Sequence, residues 1–170
     1  SELGTVAFFI GESGRVKRHC KKNGDHFGVF EWGRGVKRNE KSDVKKTYCS
    51  VITVMSDDHR GILGDSLESS TKEEAGIIKK NCPLVCAKQP ARALETLLGR
   101  AKDRNATVSI QGKDFEYVDR GATNGVGQIM DYHSDFGTIK DMFVPLLGYH
   151  PLQNASIALR PVEITSVSYT

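Results

Sequence analysis

The pattern of apolar and polar residues along the chain predicts strands that alternate with amphipathic helices. Residues 49–55 are short, apolar and β-branched, which is typical of a strand buried on both faces of a parallel sheet. Similar apolar runs predict strands at residues 84–87 and 107–110, and Pro90 opens a helix between them. The apolar side chains of that helix recur at helical spacing and predict one buried face: Leu94, Leu97, Leu98 and Ala101. This order predicts a βαβ arrangement with right-handed crossovers.

The second half of the chain predicts a different local structure. From residue 112 to residue 143, Gly, Asp and aromatic residues alternate in short runs, a pattern that predicts antiparallel hairpins. We therefore expect an α/β fold, a mostly parallel sheet flanked by helices, with a small antiparallel appendage at residues 112–147. The length of 170 residues fits a single domain.

Both ends of the chain carry shorter patterns. The apolar run at residues 3–10 predicts the end of a buried helix, and residues 29–31 predict a short strand after a turn. Near the C-terminus we expect a helix at residues 152–159, which Pro161 ends. The alternating residues 163–170 then predict an edge strand.

The composition indicates an ordinary globular protein of a reducing compartment. Apolar residues make up 38% and charged residues 26% of the chain, which argues against wholesale disorder. No apolar run approaches the roughly 20 residues that span a bilayer, and no basic region precedes the N-terminal apolar run, so we expect neither a membrane helix nor a signal peptide. The cysteine spacing favours buried free thiols over a zinc or redox site, and hence a cytoplasmic protein. The cysteines are Cys20, Cys49, Cys82 and Cys86.

The net charge of +3 hides an uneven distribution. Residues 1–48 carry eleven basic and six acidic side chains, with the excess at residues 15–22 and 34–46. A basic segment of this kind is compatible with a polyanion partner, either nucleic acid or a phosphorylated ligand. A solvated surface is the other interpretation, and it is favoured because aromatic residues are not interleaved with the basic ones. We therefore do not expect a nucleic-acid partner.

An acid–histidine group follows the predicted strand at residues 49–55. Asp57, Asp58 and His59 lie at the carboxyl end of that strand, where open α/β sheets place their ligands. Asp65 can cap the next helix, and a glutamate three residues later completes a capping box.

A second carboxylate ends an earlier strand. Glu31 is the last residue of the predicted strand at residues 29–31, and Gly33 and Gly35 follow it. The two glycines would let the loop turn sharply or let a ligand approach the backbone. Alone, this pattern is too common to assign a function.

Several short motifs occur in a fixed order within residues 52–85. They are Asp58-His59, Ile62-Leu63-Gly64-Asp65, Ala75-Gly76-Ile77-Ile78-Lys79 and Pro83-Leu84-Val85. In this order and at this spacing they resemble the central ATPase domain of the folylpolyglutamate synthase and dihydrofolate synthase family, which belongs to the Mur ligase superfamily. The corresponding family pattern is an apolar strand, Asp-His, Leu-Gly-Asp-Thr, a helix, Ala-Gly-Ile-Ile-Lys and Pro-Val-Val.

Motifs outside that segment agree with the resemblance. They are Phe30-Glu31-Trp32-Gly33, Gln89-Pro90, Gly112-Lys113-Asp114-Phe115, and Pro145-Leu146-Leu147-Gly148-Tyr149-His150 with Asn154-Ala155. The last of these is similar to the family signature Leu-Gly-x-His-Gln-x-x-Asn-Ala. The likeness covers roughly residues 28–160 and is specific, because the motifs follow one another in the order of the family.

The resemblance implies a reaction and a set of site residues. In the family, ATP phosphorylates a folate carboxylate to an acyl phosphate, and the amine of glutamate then displaces phosphate, with Mg²⁺ offsetting charge. Glu31 and His59 fall on the magnesium-ligand positions of the family. His150 and Asn154 fall where the family approaches the nucleotide. The glycine-rich loop adds three residues to the cofactor site: Gly33, Gly35 and Lys37.

The chain also departs from the family pattern. The sequence contains no counterpart of the glycine-rich phosphate loop or of the C-terminal ligase domain. Thr123-Asn124-Gly125 matches three residues of that loop but lacks its lysine. Glu74 occupies the catalytic position of a lysine that is carbamylated in many members. We therefore expect no ATP turnover by these 170 residues alone. A non-catalytic nucleotide-binding, polyanion-binding or interaction module is the alternative, and an unpaired sheet edge would favour self-association.

Overall fold

The computed structural model describes residues 6–9, 27–30, 47–55 and 67–167. The chain forms two compact units, residues 1–46 and residues 47–170. The candidate capping residue Asp65 lies outside the described residues. The assignment of residues 1–170 to a single domain stays a prediction.

The first unit contains a pair of parallel strands. Strand β1 (Val6–Phe9) pairs with strand β2 (Phe27–Phe30) in parallel. The predicted helix end at residues 3–10 is therefore wrong where the chain is described, because Val-Ala-Phe-Phe is rich in β-branched and aromatic side chains that favour a strand. The strand predicted at residues 29–31 exists and begins two residues earlier.

The second unit begins with a three-stranded parallel sheet and its helices. In spatial order the strands are β3 (Ser50–Ile52), β4 (Leu84–Cys86) and β5 (Val108–Ile110). The helices are α1 (Leu67–Glu74), which continues as a 3₁₀ turn (Ala75–Ile77), and α2 (Ala91–Asp103). The predicted alternation of strands and helices around a parallel sheet is confirmed.

The core beneath α1 and α2 is apolar, and its largest side chains include the fully buried Leu84 and Leu97. Leu98 is 40% exposed, so its predicted place on the buried face is wrong. The buried residues of α2 are Ala93, Leu97 and Ala101, one helical turn apart, and Leu98 lies beside that narrow stripe.

Strand β3 is less buried than its sequence predicts. Ser50 and Ile52 are buried, but Val51 is 37% exposed between them. The prediction of burial on both faces is therefore wrong at this residue. The predicted strand at residues 49–55 is also too long, because β3 ends at Ile52 and the next two residues are exposed. Because β3 lies at the edge of the described three-stranded sheet, it has a strand neighbour on one side there.

A three-stranded antiparallel sheet follows, as predicted for residues 112–147. Its strands are β6 (Phe115–Thr123), β7 (Gly127–Ser134) and β8 (Gly137–Val144), with β7 in the middle. Between β6 and β7, Asn124 and Gly125 adopt positive φ angles of 46° and 70°. Asn-Gly is favoured at such positions in hairpins. The Thr123-Asn124-Gly125 sequence is thus a hairpin turn.

Asp131 of β7 joins the two irregular positions of this sheet. Its side chain is 2% exposed, and it accepts hydrogen bonds from Arg120 Nε at 2.8 Å and from the Asp141 N–H at 3.0 Å. Arg120 lies at a bulge of β6, and Asp141 lies at a register shift of β8. The Arg120 guanidinium, followed by the Asp141 N–H, holds the pKa of Asp131 below its usual range.

Helix α3 (Tyr149–Val167) continues through Pro161. The predicted end at Pro161 is wrong, and the predicted edge strand at residues 163–170 is wrong over residues 163–167. Proline costs a helical hydrogen bond, but the helix is fixed by tertiary contacts on both sides of it. Ile157 precedes the proline and Ile164 follows it, and both pack in the core between the two sheets. Tertiary packing therefore outweighs the tendency of Pro161 to end the helix.

Arg160 of α3 connects the two sheets. Its guanidinium donates from Nε to Ser109 Oγ of β5 at 2.7 Å and also contacts Asp135, in the turn between β7 and β8. Glu163 lies 3.2 Å from Arg160 Nη1 and accepts a hydrogen bond from Tyr132 Oη at 2.7 Å. The hydrogen bonds to Asp135 and Glu163 raise the pKa of Arg160 despite its burial.

The described cysteines are free thiols, as predicted. Cys82 and Cys86 are buried and Cys49 is half-buried, whereas Cys20 lies outside the described residues. Burial raises the pKa of Cys49 to about 12 and that of Cys86 to about 11. Among the described helices, none is long and apolar enough to cross a membrane.

Candidate functional site

The structure describes three of the predicted site residues: Glu74, His150 and Asn154. The other predicted site residues lie outside the described residues and stay predictions. They are Glu31, Gly33, Gly35, Lys37 and His59. The described elements that carry or adjoin predicted site residues are the segment after β3, the end of α1 and the start of α3.

The segment after β3 is held by the side chain of Gln89. Gln89 Nε2 donates to the Thr53 carbonyl at 2.7 Å, and the Met55 N–H donates to Gln89 Oε1 at 3.1 Å. Met55 is buried and accepts a hydrogen bond from Thr71 of α1 through its Sδ at 3.3 Å. Gln89 and α1 thus fix the backbone two residues before Asp57.

Glu74 is the last residue of α1 and is half-buried. Its backbone is helical, with φ −65° and ψ −37°, and the 3₁₀ turn starts directly after it. Ser50 of β3 anchors that turn, because its Oγ donates to the Ile77 carbonyl at 3.0 Å. The end of α1 is thereby tied to the parallel sheet.

The start of α3 is fixed by a second glutamine. Gln128 of β7 donates from Nε2 to the Gly148 carbonyl at 2.7 Å and to the Leu146 carbonyl at 3.3 Å. Gly148 has a φ of 113°, a conformation that favours glycine, and the helix begins one residue later. The position of the first helical turn is therefore set by the antiparallel sheet.

His150 and Asn154 lie four residues apart on α3, so they share one face of the helix, and both are exposed. The rings of His150 and Tyr149 pack edge to face, with their centroids 5.8 Å apart. The ring centroids of Tyr149 and Tyr117 are 6.4 Å apart. Burial, followed by the contact with Tyr149, raises the pKa of Tyr117 to about 12. The structure thus brings two predicted nucleotide residues together beside an aromatic pair.

The helix start has the chemistry of an anion or polar-ligand site. The first N–H groups of a helix have no partner within the helix and carry partial positive charge. Pro151 lies in this first turn and removes one of these donors, a position that tolerates proline. Asn154 can donate and accept hydrogen bonds at once, which suits recognition of a polar ring edge.

A shallow cleft of about 440 Å³ lies away from these residues, between residues 112–116 and residues 133–135. Its lining includes Lys113 and His133, and His133 Nδ1 is 3.0 Å from Thr138 Oγ1. None of the three described site residues, Glu74, His150 and Asn154, lines this cleft. Within the part of the chain that is described, no group of three His, Cys, Asp or Glu side chains is placed to hold a metal ion.

The two glutamine contacts were not predicted from the sequence. Gln89 belongs to a Gln-Pro motif that matches the family order, but the motif does not reveal what its side chain binds. Gln128 carries no sequence signal at all. Both bond to backbone groups that are distant along the chain, which local periodicity cannot show.

Comparison with known proteins places these features in a family, although no protein-family model matches the chain. The dihydrofolate synthase/folylpolyglutamate synthase of Bacillus subtilis is 29% identical over 137 residues, covering 81% of this chain and 31% of that protein. The Mycobacterium tuberculosis protein of the same name is 30% identical over 141 residues, covering 79% and 28%. The structure of Mycobacterium tuberculosis folylpolyglutamate synthase complexed with ADP and AMPPCP matches with a TM-score of 0.76 and 27% identity, covering 86% of this chain and 34% of that one.

The fold is therefore of the Mur ligase type, an α/β sheet with helices and a separate antiparallel sheet. Within that class, the chain belongs to the folylpolyglutamate synthase and dihydrofolate synthase family. The chain spans about a third of the length of the curated relatives it matches.

Proposed function

We propose that this chain forms the ATP-facing part of a ligase that joins glutamate to a folate carboxylate. The observation that carries the proposal is the likeness to a relative described in complex with ADP and AMPPCP, over most of this chain. The exposed face of α3 with His150 and Asn154 supports it, because the family approaches its nucleotide at these positions.

The proposed reaction has two steps. A folate carboxylate oxygen attacks the γ-phosphorus of ATP, and ADP leaves, so that an acyl phosphate forms. The amine nitrogen of glutamate then attacks the acyl carbon and displaces phosphate, which gives an amide and releases a proton. Positioning and charge neutralisation dominate the catalysis of such phosphoryl transfers.

The residues of this chain would bind and orient the nucleotide. Asn154 would bind a polar edge of the base, and His150 would bind beside it at the start of α3. The loop residues Gly33 and Gly35 would let the backbone approach the ligand, and Lys37 would neutralise its charge.

A metal ion would neutralise charge on the phosphates when bound. Glu31 and His59 would hold it, since carboxylate oxygen is the preferred donor of Mg²⁺ and the imidazole completes the set by resemblance. Glu74 would supply a fixed negative charge at the position of the carbamylated lysine, with a shorter reach. Its place at the junction of α1 and the 3₁₀ turn keeps it half-buried and tied to the sheet.

The alternative is a non-catalytic relative that binds a nucleotide, a polyanion or another protein. One observation is consistent with it: Thr123-Asn124-Gly125, the stretch that resembles part of the family's phosphate loop, forms a hairpin turn. Phosphate release from ATP by this chain, with folate and glutamate present, would argue against this alternative.

The proposal also assigns a location and an assembly. Buried free thiols suit a reducing cytoplasm. The edge position of β3 among the described strands is compatible with pairing between copies.

The proposed metal site is tested by Mn²⁺ binding, followed by electron paramagnetic resonance with AMPPCP present. We expect the His59→Ala variant to lose at least about tenfold in Mn²⁺ affinity. The matched control is His133→Ala, because His133 lies in the antiparallel sheet and contacts Thr138 instead. Equal affinity in the His59→Ala variant and the unmodified chain would remove the metal site from the proposal.

A further inference from the structure

We infer that Gln89 is a positioning residue that fixes the backbone of residues 53–55, which follow β3 and precede His59 in the sequence. The inference rests on the proposed function only for the metal-binding consequence, because the contacts themselves belong to the described structure. Among the described residues, the Gln89 side chain bonds to the backbone of Thr53 and Met55, so we expect its effect on metal binding to pass through that backbone.

The contacts of Gln89 have the form of strand pairing. In a parallel sheet, one residue donates its N–H to a carbonyl of the neighbouring strand and accepts an N–H two residues further on. The Gln89 carboxamide does the same with Thr53 and Met55, at 2.7 Å and 3.1 Å. A side chain therefore takes the place of a peptide group at this end of the sheet.

The backbone ladder between β3 and β4 ends just before these contacts. The Ala87 N–H donates to the Ile52 carbonyl at 2.9 Å, and residues 53–55 no longer form a strand. Thr53 and Val54 are exposed, so few side-chain contacts restrain this part of the backbone. The carboxamide of Gln89 therefore holds three further residues of backbone after β3, residues 53–55.

Met55 is held from a second direction. Its side chain is 7% exposed and accepts the hydrogen bond of Thr71, which is itself fully buried on α1. With its N–H on Gln89 and its side chain on Thr71, Met55 is a fixed point four residues before His59.

Glutamine is the residue type that this role requires. Glutamate would accept from the Met55 N–H but could not donate to the Thr53 carbonyl when ionised. Leucine would fill a similar volume and do neither. The two substitutions therefore separate the loss of one hydrogen bond from the loss of both.

Hydrogen exchange of the unliganded chain, measured by mass spectrometry, tests the positioning role directly. In Gln89→Leu we expect exchange in peptides containing the Met55 amide to accelerate about tenfold. Gln89→Glu should give a smaller acceleration. The matched control is Gln111→Leu, which removes a buried amide that bonds to Gln153 and Ser156 of α3, and it should leave those peptides unchanged.

Unchanged exchange around Met55 in a folded Gln89→Leu variant would overturn the inference, whatever the chain binds. If Gln89→Leu fails to fold, the Gln89→Glu variant decides on the same peptides. Mn²⁺ affinity then measures the consequence: we expect a loss of about tenfold in Gln89→Leu and none in Gln111→Leu. Absence of Mn²⁺ binding in the unmodified chain would contradict the proposed function, while the exchange result alone would still decide the role of Gln89.

Discussion

The two cores on either side of β4 are built from different kinds of side chain. Leu84 and Cys86 face the core beneath α1 and α2, whose buried residues are almost all aliphatic. Val85, between them, faces the core shared by the antiparallel sheet and α3. Buried polar and charged side chains also lie on α3 or bond to it: Gln111, Gln153, Ser156 and Arg160.

The difference between the two cores separates apolar packing, which stabilises the fold, from polar contacts, which orient α3. Aliphatic packing dominates the first core, and the hydrophobic effect is non-directional. The hydrogen bonds of Ser50 and Thr71 add a few directional contacts there. Hydrogen bonds and ion pairs fix directions, and in the second core they set the start of α3 through Gln128 and its body through Arg160. The helix that carries His150 and Asn154 is thus placed by polar contacts.

The largest effect is expected from the aliphatic core. Leu97→Ala removes a fully buried side chain and should lower the free energy of unfolding by about 3 kcal/mol. Leu98→Ala, one residue further on the same helix, is 40% exposed and should cost less than about 1 kcal/mol. Urea denaturation of both variants measures the difference. Equal losses would mean that the buried stripe of α2 has been assigned incorrectly.

A smaller effect is expected from the polar core. Arg160→Leu leaves Ser109 without its donor and Glu163 with only Tyr132 and Ser134, so we expect a loss of about 2 kcal/mol. Arg92→Leu is the matched control, since Arg92 is exposed on α2, and it should change stability by no more than about 0.5 kcal/mol. An Arg160→Leu variant as stable as the control would show that the ionic contacts contribute nothing.

The smallest effect is a dependence on pH that belongs to the antiparallel sheet. The pKa of Asp131 is lowered by Arg120 and by the Asp141 N–H, so the folded state favours the ionised carboxylate. The resulting stabilisation is present above pH of about 4, the ordinary range of an aspartate, and is lost as the pH falls through the lowered pKa.

We therefore expect Asp131→Asn to reduce stability near neutral pH and to flatten the acid limb of the stability curve. Thermal unfolding of the variant and the unmodified chain from about pH 2 to about pH 6 measures this change. Asp119→Asn is the control, because Asp119 is exposed on β6. An unaltered acid limb in Asp131→Asn would show that other carboxylates govern acid unfolding.

Local periodicity predicted the elements whose burial is local in sequence. The strand at β4, the helix α2 and the hairpins of residues 112–147 followed from short runs with one clear period. The predicted helix end at Pro161 was wrong because Ile157 and Ile164, on either side of it, pack against residues from other parts of the chain. Leu98 misled because the buried stripe of α2 is narrower than its apolar pattern.

The candidate site was less accessible to sequence reasoning. Motif order identified the family and pointed to His150 and Asn154, which the structure places on one exposed face. Gln89 and Gln128 act through contacts with backbone groups far along the chain, and a polar side chain in a sequence does not reveal its partner. The positions of Glu31 and His59 stay predictions.

Calorimetric titration with AMPPCP, with and without magnesium, tests the central claim most directly. We expect binding that requires magnesium, disappears in Glu31→Ala and persists in Glu116→Ala, a substitution on the exposed side of β6. Absence of binding at millimolar analogue, or binding that depends neither on magnesium nor on Glu31, would contradict the proposed nucleotide site. Such a result would favour a domain that has kept the fold of the ligases and lost their nucleotide site.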